Sequence, residues 1–66
     1  EIKIKDDFIK LCQLLKLAGL VSSGVEAKIV INEGEVLYNG EVEFRRGKKV
    51  YKGDTVEFDN EIIKVI

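Results

Sequence analysis

Five of the six leucines in this 66-residue chain fall between Leu11 and Leu20, whereas valine and isoleucine dominate from Val25 onward. Leucine favours helix, and β-branched side chains fit a pleated surface. The partition of apolar types therefore predicts helices first and a small sheet after, an α+β fold. A chain this short holds one domain, residues 1–66. At such a size only about 60% of the surface exposed by the unfolded chain is buried on folding, which leaves no depth for an enclosed active-site cleft.

Local signals divide the helical part in two. Phe8, Leu11, Cys12, Leu15 and Ala18 recur at three- and four-residue steps, with Leu14 and Leu17 widening the stripe. They predict a first helix from about Asp7 to Ala18, capped by Asp6 or Asp7 and stopped by Gly19 with Leu20 as the hydrophobic residue after it. Ser23-Gly24-Val25-Glu26 reads as a capping box. It opens a second helix from Gly24 to Glu33, ended by Gly34. Ala27, Val30 and Ile31 share one face of it; Val25 and Ile29 lie on another and are expected to be covered as well. Only Leu20 to Ser22 separate the two, so a tight helix–turn–helix pair is expected.

Strand signals follow. Glu35–Tyr38 and Glu41–Phe44 flank Asn39-Gly40, a strong hairpin dipeptide. A two-residue loop pairs Tyr38 with Glu41 and puts Val36 and Tyr38 on the face of Glu41 and Glu43. A three-residue loop instead aligns Val36, Tyr38, Val42 and Phe44. Since a one-residue slip exchanges every face, the sequence leaves the register open. After a turn at Arg46-Gly47 come an extended piece at Lys49–Tyr51, a turn at Gly53-Asp54, and a last hairpin of Thr55–Phe58 and Ile62–Ile66 around Asp59-Asn60-Glu61. Ile2 and Ile4 are expected to add an edge strand.

Composition narrows the chemistry. The chain has no His and a single cysteine, Cys12, so the commonest general base is absent and a disulfide within the chain or a multi-cysteine zinc site is excluded. Cys12 lies on the apolar stripe and reads as an inert core thiol. The longest uncharged stretch, Leu17 to Val25, is far short of the roughly 20 residues of a membrane span. There is no signal-peptide pattern, and a chain opening on Glu1 instead of Met is compatible with a trimmed N-terminus. The expectation is a cytoplasmic domain. Ser22 or Ser23 as a nucleophile would need Lys28 as its base, and Ser23 already caps a helix. Glu41, Glu43, Glu57 and Asp59 alternate along the expected strands as a wet sheet face does, not as a converging metal site. The glycines match no phosphate loop. The expectation is a protein that is not an enzyme, has no cofactor or metal, and acts on no small-molecule substrate.

Charge is the informative property. Arg45 to Lys52 read RRGKKVYK, five basic residues in eight with no acid. The remaining 58 residues carry six basic and twelve acidic side chains, a net charge of −6, against −1 for the whole chain. Crowding like charges costs energy, which a polyanion reverses through phosphate neutralisation and counterion release. If five phosphates are neutralised, log affinity falls with log salt at a slope of roughly −3.5 to −4.5. A solvated loop that merely aids solubility explains the same run. Tyr51 and Phe44, within and beside the run, could stack on an unpaired base; the plainer role for each is strand filling.

The ordered combination of Leu11-Cys12-Gln13-Leu14-Leu15-Lys16-Leu17, Ser23-Gly24, Ala27-Lys28-Ile29, Glu33-Gly34-Glu35-Val36 and Asn39-Gly40 resembles the S-four RNA-binding domain, above all its short stand-alone bacterial versions. Arg45-Arg46-Gly47-Lys48-Lys49 and Gly53-Asp54 to Phe58 extend the resemblance. It implies two packed helices followed by a small curled antiparallel sheet, the αL motif, and RNA binding without catalysis. The implied contacts are Lys16, Ser23, Lys28, Arg45, Arg46, Lys48 and Lys49, to which the basic run adds Tyr51 and Lys52. Many members place Arg-Leu-Asp where this chain has Asp6-Asp7-Phe8, and an Arg where it has Gly24. The expected partner is ribosomal or transfer RNA, with a ribosome or ribosome-associated protein beside it, and no membrane. Lys16, Lys28 and the loop should then project to one side. The alternative is a protein-interaction accessory module associated with ribosome assembly or DNA repair.

Overall fold

A computed structural model describes residues 1–66. The chain opens with strand β1 (Phe8–Lys10) and passes directly into helix α1 (Leu11–Leu17). The first helix is thus shorter than its periodicity predicts. Phe8 and Ile9 suit a strand as well as a helix, and a partner strand is available: β1 pairs antiparallel with the segment Lys49–Tyr51, in the register Phe8↔Tyr51, Ile9↔Val50, Lys10↔Lys49. That pairing buries Val50 completely and half-buries Ile9. Neither Asp6 nor Asp7 caps α1. The cap position is Lys10, which makes no side-chain capping bond, and the N–H groups of Leu11 and Cys12 donate to the carbonyls of Lys48 (2.9 Å) and Arg46 (3.1 Å). Backbone from the basic loop satisfies the donors that an N-terminal turn leaves open.

Both helices end as their glycines predict. Gly19 (φ 75°) donates to Lys16 O and Leu20 to Leu15 O; Gly34 (φ 76°) donates to Ile31 O and Glu35 to Val30 O. Each is the paired-bond stop that a left-handed residue permits. Helix α2 (Gly24–Asn32) starts at Ser23, whose Oγ accepts from the Glu26 N–H at 3.1 Å. The return arm of the box is displaced by one residue: Glu26 Oε1 accepts from the Ser22 N–H at 2.6 Å and from its hydroxyl at 3.0 Å. Those bonds, the backbone one foremost, hold the Glu26 carboxyl below its ordinary range. Ala27 and Ile31 are buried and Val30 half-buried, but Val25 and Ile29 are 70% and 51% exposed. At 100° per residue they point away from Ala27 and Ile31, and no element covers that side.

The Asn39-Gly40 hairpin takes the two-residue loop. Strands β2 (Leu37–Tyr38) and β3 (Glu41–Val42) pair Tyr38 with Glu41 and Leu37 with Val42, and Asn39 (φ 49°) and Gly40 (φ 88°) both adopt the left-handed conformation of a primed turn. The pairing reaches Glu43, whose N–H donates to Val36 O at 3.0 Å, and the carboxylate this sets opposite buried Val36 is met by Arg45. Strand β4 (Lys49–Tyr51) is followed by β5 (Thr55–Phe58) and β6 (Glu61–Lys64). The last turn is also shorter than expected: Asp59 (φ 53°) and Asn60 (φ 63°) form it alone, and Glu61 opens β6 opposite Phe58. The main sheet has the order β3-β2-β5-β6, with β1-β4 as a separate ribbon. Beyond β6, Ile2 bridges Val65 in parallel. The core is entirely apolar, joining Leu11, Leu14 and Leu15 of α1 and Ala27 and Ile31 of α2 to Val36, Val50, Val56, Ile63 and Val65. No helix is long and apolar enough to cross a membrane.

Candidate nucleic-acid interface

The basic run is held at both ends by backbone. At its start, the carbonyls of Arg46 and Lys48 receive the first N–H groups of α1, and Lys48 N–H closes the Arg46-Gly47 turn on Arg45 O at 3.2 Å. At its end, Asp54 clasps Tyr51. Asp54 Oδ2 accepts from the Tyr51 N–H at 2.9 Å, and the Asp54 N–H donates back to Tyr51 O at 3.0 Å. Asp54 Oδ2 also accepts from the Tyr38 hydroxyl at 2.5 Å and Oδ1 from Asn39 Nδ2 at 3.3 Å, while Asn39 Oδ1 takes the Thr55 N–H at 2.8 Å. Burial alone would raise the Asp54 carboxyl, but the bonds from Tyr38, Tyr51 and Asn39 outweigh it and hold it below its ordinary range. The same carboxylate is the main reason that the Tyr38 phenol is pushed up to about 12.

The five cations of the run are not equivalent. Arg45 Nε meets Glu43 Oε2 at 2.9 Å and its second guanidinium nitrogen meets Oε1 at 3.2 Å, a bidentate pair. The guanidinium hydrogen bond keeps the Glu43 carboxyl low and raises Arg45 in turn. Arg45 is thus neutralised by its neighbour, contrary to a run of five free charges. Arg46, Lys48, Lys49 and Lys52 have no carboxylate within salt-bridge distance. Lys48 Nζ lies 4.8 Å over the Tyr38 ring and Lys49 Nζ 4.9 Å over the Phe8 ring, so both ammonium groups rest on aromatic faces. Arg45, Gly47, Lys48, Lys49 and Tyr51 line an open concavity of about 450 Å³.

Of the helical candidates, Lys16 is exposed and its Nζ stands 4.0 Å from the position a Cβ on Gly24 would occupy, beside the start of α2. Ser23 caps that helix. Lys28 is exposed on α2, one position from buried Ala27. Phe44 is 59% exposed, with its ring edge 3.3 Å from a Cβ built on Gly34. No group of three or more acidic or cysteine side chains converges anywhere. Lys10 and Phe8 are neighbours of the loop that the sequence did not reveal. Assigned to a helix, they showed no relation to the loop; paired as a strand, they stand directly across from Lys49 and Tyr51.

A helix pair laid against a short-stranded antiparallel sheet places the chain among small RNA-binding folds of the S4 class, and the chain belongs to the S4 domain family: its model matches residues 2–66. Among the relatives, YbcJ of Escherichia coli, provisionally named as an RNA-binding protein, is 44% identical over 62 residues, covering 94% of this chain and 89% of YbcJ. RlbA of Bacillus subtilis, provisionally named for ribosome maturation, is 48% identical over 58 residues, covering 88% of this chain and 82% of its own. The solution structure of YbcJ, described as having an αL motif involved in RNA binding, superposes with a TM-score of 0.74 at 41% identity over 98% of this chain and 84% of that one.

Proposed function

We propose that residues 1–66 act as one non-catalytic S4 unit that binds structured RNA, ribosomal or transfer RNA, in the cytoplasm. The surface is the loop from Arg45 to Lys52, joined by Lys16, Ser23 and Lys28 of the helix pair. The observation that supports this most is that Arg46, Lys49 and Lys52 have no carboxylate within salt-bridge distance, and Lys48 only the more distant Glu43 and Asp54, on a loop whose backbone is clamped to α1. Phosphate contacts supply the affinity, and the shape of the RNA the selectivity, because an RNA duplex offers few readable base edges. YbcJ and RlbA point the same way by their names. With Arg45 held by Glu43, four phosphates are the expected count, and log affinity should fall with log salt at a slope of roughly −2.8 to −3.6. A slope near zero for a structured ribosomal RNA fragment would sink this mechanism, as would full RNA retention after Arg46, Lys48 and Lys49 are changed to Glu.

The exposed Val25 and Ile29 on α2 favour a second reading, an accessory module that docks a protein partner during ribosome assembly. Co-sedimentation with ribosomal particles that survives the triple charge reversal, but is lost on changing Val25 and Ile29 to Ser, would favour it over the RNA reading.

A further inference from the structure

The ribbon β1-β4 has one face in the core and one in solvent. Because side chains alternate along a strand, Ile9 and Val50 face inward, and the pairs Phe8↔Tyr51 and Lys10↔Lys49 share the outer face. The two rings lie 5.8 Å apart at 52°, a tilted contact that fixes the Tyr51 ring from one side. Lys49 lies over Phe8, but no cation lies over Tyr51, which is 46% exposed. Tyr51 borders the concavity of Lys48 and Lys49; Phe8 borders a second groove of about 750 Å³ containing Lys3, Lys5 and Lys10. Each ring of the aromatic pair borders one of two lysine-bearing hollows.

Lys10 is placed where the isolated protein gains nothing from it. It stands directly across a β-pair from another lysine, a destabilising arrangement. That penalty reverses when an anion lies across this face. Asp6 and Asp7 in the second groove leave it with a net charge of only +1, so the anion expected there is one phosphate of a passing strand and not a phosphate cluster.

We propose that Tyr51, buttressed by Phe8, is a stacking platform for one unpaired base of a single-stranded RNA segment flanking the structured RNA, with Lys10 and Lys49 contacting the adjoining phosphates. This rests on the RNA reading of the basic loop and extends it to a defined element of the ligand. Stacking is sequence-tolerant, since every base presents a π-face, so the site selects for an unpaired nucleotide and not for a particular base.

The test uses the full chain and two RNAs, a blunt hairpin and the same hairpin with an unpaired oligoadenosine overhang containing 2-aminopurine. The overhang is expected to tighten binding, with 2-aminopurine fluorescence quenched as the base stacks. Tyr51→Ile, which keeps β propensity but removes the ring, should weaken overhang binding by about 5-fold to about 100-fold and weaken the blunt hairpin much less. Tyr51→Phe should retain both binding and quenching, which separates lost stacking from lost folding. Salt-dependent binding of both hairpins with equal affinity overturns the platform alone. Equal loss on both RNAs in Tyr51→Ile also overturns it. Absence of salt-dependent binding to either RNA overturns the platform and the RNA reading together.

Discussion

The ammonium of Lys48 lies 4.8 Å above the centre of the Tyr38 ring, and that ring is oriented by the bond from its hydroxyl to Asp54. A cation of the loop is therefore positioned through an aromatic residue of β2 by a carboxylate that also clasps Tyr51 and Asn39. Replacing Asp54 with Ala strands the Tyr38 hydroxyl and the Tyr51 N–H together. The expected loss is about 2 kcal/mol, since bonds to a charged acceptor are worth about 1.5–3 kcal/mol each and are not additive. For a domain of this size that lowers Tm by very roughly 10 °C. Urea denaturation of the variant measures it, and a change within about 0.5 kcal/mol would show that the clasp is not structural.

The pH profile has an arm from each partner of that bond. Asp54, Glu43 and Glu26 are all held below their ordinary values. Their stabilisation is fully present above the unfolded carboxylate range, about 4, and is lost as pH falls through their lower folded values. Tyr38 is shifted oppositely, up to about 12. Its stabilisation is complete below the unfolded phenol value of about 10 and disappears as pH rises towards the folded one. Stability should be flat through neutrality and fall at both extremes. Tyr38→Phe should selectively flatten the alkaline fall relative to the parent chain; an unchanged alkaline limb would mean that the Tyr38 phenol does not sense Asp54.

What was legible in the sequence is what local chemistry decides. Gly19, Gly34 and Ser23 do what their neighbours require, because a helix stop and a capping bond involve residues only a few positions apart. Phe8–Lys10 was not legible, because its period also fits a helix and its actual partner, Lys49–Tyr51, is at the far end of the loop. The Asn39-Gly40 register was undecided for a similar reason. Asn39 is anchored to Thr55 and Asp54, contacts that no local pattern displays. The basic run was legible as composition, but the pairing of Arg45 with Glu43 needed the course of the chain between them. The site as read from sequence therefore counted Arg45 as free and did not set Lys10 and Phe8 across from Lys49 and Tyr51.

Arg45 can be released from that pair. The Arg45 side chain is 71% exposed, whereas the Glu43 side chain is only 13% exposed, and an exposed pair of this kind contributes about 0–1 kcal/mol. Glu43→Gln should cost little stability and free Arg45 for phosphate. Affinity for a structured RNA should rise, and the salt slope steepen by about 0.7–0.9. Arg45→Ala in the parent should change the slope less than Lys49→Ala does. Titrations over a salt series decide it: equal effects of Arg45→Ala and Lys49→Ala would mean that the Glu43 pair opens on binding.

Two glycines should separate backbone need from loop convenience. Gly34 ends α2 at φ 76°, and a Cβ there would meet the Phe44 ring at 3.3 Å and a Val42 methyl at 3.6 Å. Left-handed backbone costs a residue with a Cβ about 1–2 kcal/mol, and the ring must also shift. Gly34→Ala should therefore lose about 1–3 kcal/mol. Gly47, in the Arg46-Gly47 turn, has no positive φ, and a Cβ there meets nothing within 4 Å. Gly47→Ala should be neutral or stabilising by up to about 1 kcal/mol, because alanine restricts the unfolded chain more than glycine does. It should also leave the loop bonds to Leu11 and Cys12 intact. Paired denaturation curves test the contrast. If Gly47→Ala proves as damaging as Gly34→Ala, the basic loop depends on a conformation that only glycine supplies, and its clamping by α1 is not enough to define it.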